Sequence, residues 1–130
     1  MTIIEYPFPE NPAASDYCVF KPCLEDDDLV FFHATLSTNR DAIIEEGFRI
    51  PDRTGENGLA SVSFAKRSVT ALVHAMTMRE QQPGEYCIFA VRYGTVTGLV
   101  VNNVDIHDYN HESDREIIGC CTVPASYVHR

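Results

Sequence analysis

The sequence predicts a single α+β domain with two main helices and largely antiparallel strand pairing. Helical patterns fall early, at about Asp41–Phe48 and Val69–Glu80, and mostly strand-like stretches follow from Tyr86 onward. A chain of 130 residues fits one domain that buries roughly two-thirds of its unfolded surface. The apolar fraction of 45% and charged fraction of 22% are those of an ordinary soluble globular protein. No apolar run approaches the ~20 residues of a membrane span, and MTIIEYPFPENP has neither the basic region nor the apolar core of a secretion signal. A net charge of −9 argues against nonspecific binding to nucleic acid or to an anionic membrane. It leaves room for an anionic cofactor, because backbone amides and one or two arginines supply the needed field locally.

Taken in order, residues 1–28 read as an irregular arm. Pro7, Pro9, Pro12 and Pro22 interrupt any continuous helix, and Asp16–Phe20 is its one short edge-strand candidate. The run Glu25-Asp26-Asp27-Asp28 reads as a solvated turn rather than a metal site. Leu29–His33 has the content of a short buried strand. A polar turn, Ala34–Thr38, leads into a helix that Thr38 can cap, with Asp41 favouring its positive end. Ile43, Ile44 and Phe48 give that helix its apolar contacts, and Gly47 stands where a left-handed terminating residue is wanted. Ile50–Asn57 reads as a loop.

Gly58–Ala65 reads as a strand, with Ser61 and Ser63 on one face and Val62 and Phe64 on the other. Ser68 then caps a helix over Val69–Glu80, whose apolar stripe is Val69, Leu72, Val73 and Met76. His74 and Met78 flank the stripe and are assigned no chemistry. Pro83-Gly84 is a turn, and Tyr86–Tyr93 is the clearest strand of the second half. Thr95–Val101 is a further strand broken at Gly98, Asn102–Ser113 a polar loop, and Asp114–Cys121 a late strand. Val123–Val128 closes the chain around Pro124.

Three of these strands carry polar groups where a buried strand should be apolar: His33, Ser61 with Ser63, and Asp114 with Glu116. Each has a plain structural reading, a satisfied core histidine or a solvent-facing strand end, beside the functional one. The two carboxylates share a face and repel, which calls for exposure or a common task. DIHDYNHESD offers a different chemistry, a metal-dependent hydrolase on Asp105, His107, Asp108, His111 and Glu112, with the two histidines four apart. The segment has no apolar period, which favours an acidic loop. Cys18, Cys23, Cys87, Cys120 and Cys121 are odd in number and contain no CxxC pair, as in a reducing compartment. Cys120-Cys121, flanked by apolar residues, read as buried thiols.

In their order and spacing, these motifs resemble the ADP-ribosyltransferase superfamily. The carriers are strand-His33-Ala34-Thr35, a helix closing on Glu46-Gly47-Phe48, Gly58 followed by Ser61-Val62-Ser63-Phe64-Ala65, then Asp114-Arg115-Glu116 before Pro124. The histidine strand is similar to the branch of diphtheria toxin and the poly-ADP-ribose polymerases. The Ser-x-Ser strand and the acidic-x-Glu pair are similar to the arginine-type toxins. Ala34 stands where the family has Gly, and Ser63 where the first branch has a stacking Tyr; Phe64 falls on the other face.

The resemblance implies two packed, mostly antiparallel sheets, a catalytic domain over residues 29–130, and NAD as substrate without a metal. It implies that Glu116 stabilises the oxocarbenium-like ribose as the nicotinamide bond breaks, oriented by Ser61. His33 would hold the adenosine-side ribose, with Thr35 adding a hydroxyl, Ser63 lining the cofactor site and the Ala34 backbone meeting the nicotinamide amide. Asp114 would serve the acceptor. The implied activity is mono-ADP-ribosyl transfer to an intracellular macromolecular target, a protein being the expected acceptor; small size and the lack of a secretion signal point to a cytoplasmic effector of bacterial or phage type. NAD hydrolysis and a catalytically silent binding module are the alternatives on the same fold.

Overall fold

The structure is a computed structural model, and it describes residues 3–48, 62–97, 99–102, 105–108 and 114–128. Among the described residues the strands are seven: β1 (Ile4–Tyr6), β2 (Val30–Leu36), β3 (Val62–Ala65), β4 (Tyr86–Tyr93), β5 (Val100–Asn102), β6 (Asp105–Asp108) and β7 (Arg115–Val123). Three helices are α1 (Pro22–Glu25), α2 (Arg40–Glu46) and α3 (Ser68–Gln81). Among the described residues no helix is long and apolar enough to cross a membrane.

All seven strands form one mixed sheet in the order β1-β7-β4-β2-β3-β6-β5, with β1 parallel to β7 and the other neighbours antiparallel. The expected α+β class holds, but two separate packed sheets are not what forms. The reason lies between β2 and β3. β2 pairs with β4 along its whole length, from Val30 opposite Arg92 to Leu36 opposite Tyr86. Its pairing with β3 is confined to Phe32 opposite Ala65. One shared position joins two halves that would otherwise be separate sheets.

Both faces of the sheet are covered, which is why Tyr86–Tyr93 reads as an almost unbroken apolar run. On one face Val30, Phe32, Ile88, Ala90, Cys121 and Val123 pack under α3 and the N-terminal arm. On the other, Phe31, Phe89, Val91, Tyr93 and Cys120 pack against Phe48, with Ile43 and Ile44 of α2 alongside. Cys87, Cys120 and Cys121 are buried free thiols, as their apolar flanks suggest. Burial pushes the Cys121 thiol up to about 12.

Several local expectations change. α3 buries Ser68, Ala71, Leu72 and Ala75, while Val73 is 45% exposed. Small residues, rather than the bulky stripe, let the helix approach β2. Thr38 lies in a 3-10 turn, Ser37–Asn39, and no side chain caps α2. Gly47 does end α2, at φ +80°, and its N–H donates to the Ile43 carbonyl at 2.7 Å. Asn102–Ser113 is not simply a loop, since it holds β6; β5, Val100–Asn102, keeps Val100 and Val101 of the strand expected over Thr95–Val101 and adds Asn102. The Ile50–Asn57 loop, Gly58, Ser61, His111 and Glu112 lie outside the described residues.

The arm is built into the fold. β1 pairs with Gly119–Cys121, and a Cβ on Gly119 would come within 2.9 Å of the Tyr6 ring. Pro12 opens a 3-10 turn and Pro22 opens α1, the helical position that tolerates a missing N–H. Asp16–Phe20 is no strand, because Asp16 and Tyr17 take φ of 54° and 66°. Glu25 is not in a solvated turn either. It is buried, accepting N–H bonds from Phe20 (3.3 Å) and Ser68 (3.0 Å) and a bond from the Ser68 hydroxyl. Ser68 therefore does not cap α3; its hydroxyl also accepts the Val19 N–H at 2.8 Å.

Candidate functional site

Where the halves of the sheet part, beside Phe32 and Ala65, a cavity of about 110 Å³ opens under α3. His33 stands at the parting. Its Nδ1–H donates to the Ser63 carbonyl at 2.7 Å, so a side chain bridges β2 to β3 just past the last paired residues. Donation from Nδ1 leaves Nε2 of the neutral ring as an acceptor. The ring lies edge-on to Phe48 and Phe64, centroids 4.9 and 5.7 Å away. Burial lowers the His33 pKa below the ordinary imidazole value; the Ser63 carbonyl opposes this, and His74 and Arg115 add to the lowering. The cavity thus has a neutral imidazole in its wall.

β3 and β6 supply the opposite wall. Ser63 is paired with His107, and Ala65 with Asp105, so all four side chains share the face toward α3. The Ser63 hydroxyl and His107 Nδ1 are 3.2 Å apart. Ser63 and Asp105 line the cavity with His33 and Ala34, and α3 adds Thr70 and His74. Phe64, expected on the far face, also reaches this lining.

The site residues read from the sequence divide into two groups. His33, Ala34 and Ser63 come together at the cavity. Thr35 follows them on β2, where its hydroxyl accepts a bond from Asn39 Nδ2 at 3.0 Å. Glu116 and Asp114 are elsewhere. Glu116 is exposed on β7 opposite Arg92, which is itself opposite Val30. Two strand spacings and three residues along the strands put it roughly 14 Å from His33. Asp114 is exposed just before β7, its carbonyl accepting the Gly94 N–H at 2.9 Å.

Between these acids, Arg115 turns inward. It pairs with the buried Asp108, which also accepts the Tyr93 hydroxyl at 2.6 Å. Arg115 Nη2 donates to the Phe48 carbonyl at 3.1 Å. Burial first, then the hydrogen bond to Asp108 and its charge, pushes the Tyr93 phenol up, so it remains a donor. This network fixes Phe48, and Phe48 fixes one side of His33. Asp108 is thereby a core residue, and His107 lies on a strand rather than on a helix face. Among the described residues no group of three His, Cys, Asp or Glu is arranged to hold a metal ion.

Sequence reasoning names Asp105 only within the metal-dependent alternative and gives Thr70 and His74 no role. Period-2 spacing marks Asp105 and His107 as neighbours on one face, but only strand order brings them to Ser63. The chain matches no family model, no curated protein and no solved structure.

Proposed function

We propose that this cavity binds NAD and that the chain is an ADP-ribosyltransferase, cleaving the nicotinamide–ribose bond and passing ADP-ribose to a macromolecular target. One observation carries the reading beyond the motif resemblance: the histidine of the resembling strand, with a free Nε2 acceptor, shares a cavity with a serine hydroxyl and a carboxylate. Acceptors of this kind suit ribose hydroxyls, which are donors. At about 110 Å³ the cavity is smaller than the ~300–1,000 Å³ of a typical small-molecule site, so it takes one ring of NAD and not the whole dinucleotide.

Bond cleavage leaves the ribose oxocarbenium-like, and a fixed carboxylate beside it lowers the barrier. The resemblance gives that part to Glu116. The geometry favours Asp105, which lines the cavity, while Glu116 is beside Arg92 on β7. The test is nicotinamide release and transfer of labelled ADP-ribose to protein in a lysate, for the native chain, Asp105→Asn and Glu116→Gln. The expected result is a loss of at least about 100-fold in Asp105→Asn, comparable to loss of a preorganised electrostatic group, and a change within a few-fold in Glu116→Gln. The reverse order would return the role to Glu116. Release of free ADP-ribose without label on protein would make the enzyme a glycohydrolase, and no release at all would leave a binding module.

A further inference from the structure

We infer that Ser63 and His107 form a proton relay for the group that attacks the ribose, and hence that the acceptor is a neutral hydroxyl or water. This rests on the reading of the cavity as an NAD-cleaving site. The two residues face each other across the β3–β6 ladder, with Ser63 Oγ 3.2 Å from His107 Nδ1. Ser63 is exposed and lines the cavity, while the imidazole behind it is half-buried. A hydroxyl backed by an imidazole is the arrangement that moves a proton away from an oxygen nucleophile. His33, anchored through Nδ1–H on the Ser63 carbonyl, is the residue given to the ribose hydroxyls in that reading, and the relay is argued for Ser63 and His107.

In the step, the oxygen of the acceptor forms a bond to C1′ of the ribose as the C1′–N bond to nicotinamide breaks. The electron pair of that bond returns to the pyridinium nitrogen, which leaves neutral. The acceptor's proton passes to Ser63 Oγ, and the Ser63 proton passes to His107 Nδ1, giving an imidazolium. Asp105, two residues along the same face of β6, is a carboxylate placed near that new positive charge. An acceptor that is already an anion needs none of this.

That difference provides the test. Nicotinamide release is followed for the native chain, His107→Gln and Ser63→Ala, with and without added azide. Each variant is expected to lose about 100-fold or more, within the 10²–10⁴ range of general-base catalysis. Azide attacks C1′ without losing a proton, so it is expected to restore most of the rate in both variants, giving ribosyl azide, and to add little to the native chain. A His107→Gln rate within a few-fold of native would overturn the relay. So would losses in both variants that azide leaves unrestored, since those belong to a structural role. A native chain that releases no nicotinamide would instead overturn the NAD reading, and the relay with it.

Discussion

His33 earns its place through two opposed demands. Its ring bridges the gap where β2 and β3 part, through the Ser63 carbonyl, and it is desolvated by Phe48 and Phe64. Burial disfavours the imidazolium, so the folded-state pKa lies below the unfolded value. The unfolded chain then binds the proton more readily, and stability rises with pH across that interval. The stabilisation is complete above the unfolded value, ~6.5. It is lost as pH falls from there through the folded value. His33→Asn keeps a donor for the Ser63 carbonyl but does not titrate. Denaturant unfolding from pH 7.5 down to pH 5 should show the native chain losing more stability than the variant. Parallel curves would mean that His33 titrates alike folded and unfolded, and the lowered pKa would have to be given up.

At the scale of elements, α3 has an unusual attachment. Its first turn is held by Glu25 of α1, which accepts the Ser68 N–H and hydroxyl and the Phe20 N–H from a buried position. Glu25→Ala would strand those donors, each unsatisfied group costing ~1–3 kcal/mol. A loss of about 3 kcal/mol or more is expected by chemical denaturation, against under 0.5 kcal/mol for a typical exposed substitution such as Asp28→Ala. Equal, small losses would show that Glu25 is solvated in solution after all. From the sequence, Glu25 was indistinguishable from Asp26–Asp28, because nothing local marks the one acid of the four that is buried, on a partner 43 positions away. The same limit explains the site. β2 and β4 were legible because burial on both faces leaves apolar runs. β6 was not, since three of its four side chains are polar, Asp105 lining the cavity and Asp108 buried on Arg115 and Tyr93. Asp114-Arg115-Glu116 has the expected alternation, but with the arginine inward on Asp108 and both acids in solvent. Which carboxylate shares a cavity with His33 depends on strand order, and that is set by long-range pairing rather than by spacing along the chain.

The whole molecule turns on how far the N-terminal arm belongs to it. By the resemblance, the catalytic domain begins at Leu29; in the structure the arm supplies Val19, Phe20 and Leu24 to the core under α3. Phe20 stacks on Phe32 at 5.3 Å and meets Tyr6 edge-on at 5.1 Å, while β1 covers the free edge of β7. Burying an apolar side chain contributes ~1.5–3 kcal/mol, so three of them amount to roughly 5–9 kcal/mol. The whole net stability of a domain is only ~5–15 kcal/mol. A chain shortened to begin at Leu29 is therefore expected to lose cooperative unfolding and expose an edge on β7, the kind of edge that promotes aggregation. Phe20→Ala in the full chain isolates the packing from the edge, and should cost ~3–5 kcal/mol while leaving the unfolding transition cooperative. Thermal melts and sedimentation of both proteins decide the matter. A shortened chain that melts cooperatively near the native temperature would show that residues from Leu29 onward fold alone, and the arm would then be an accessory laid over a finished core.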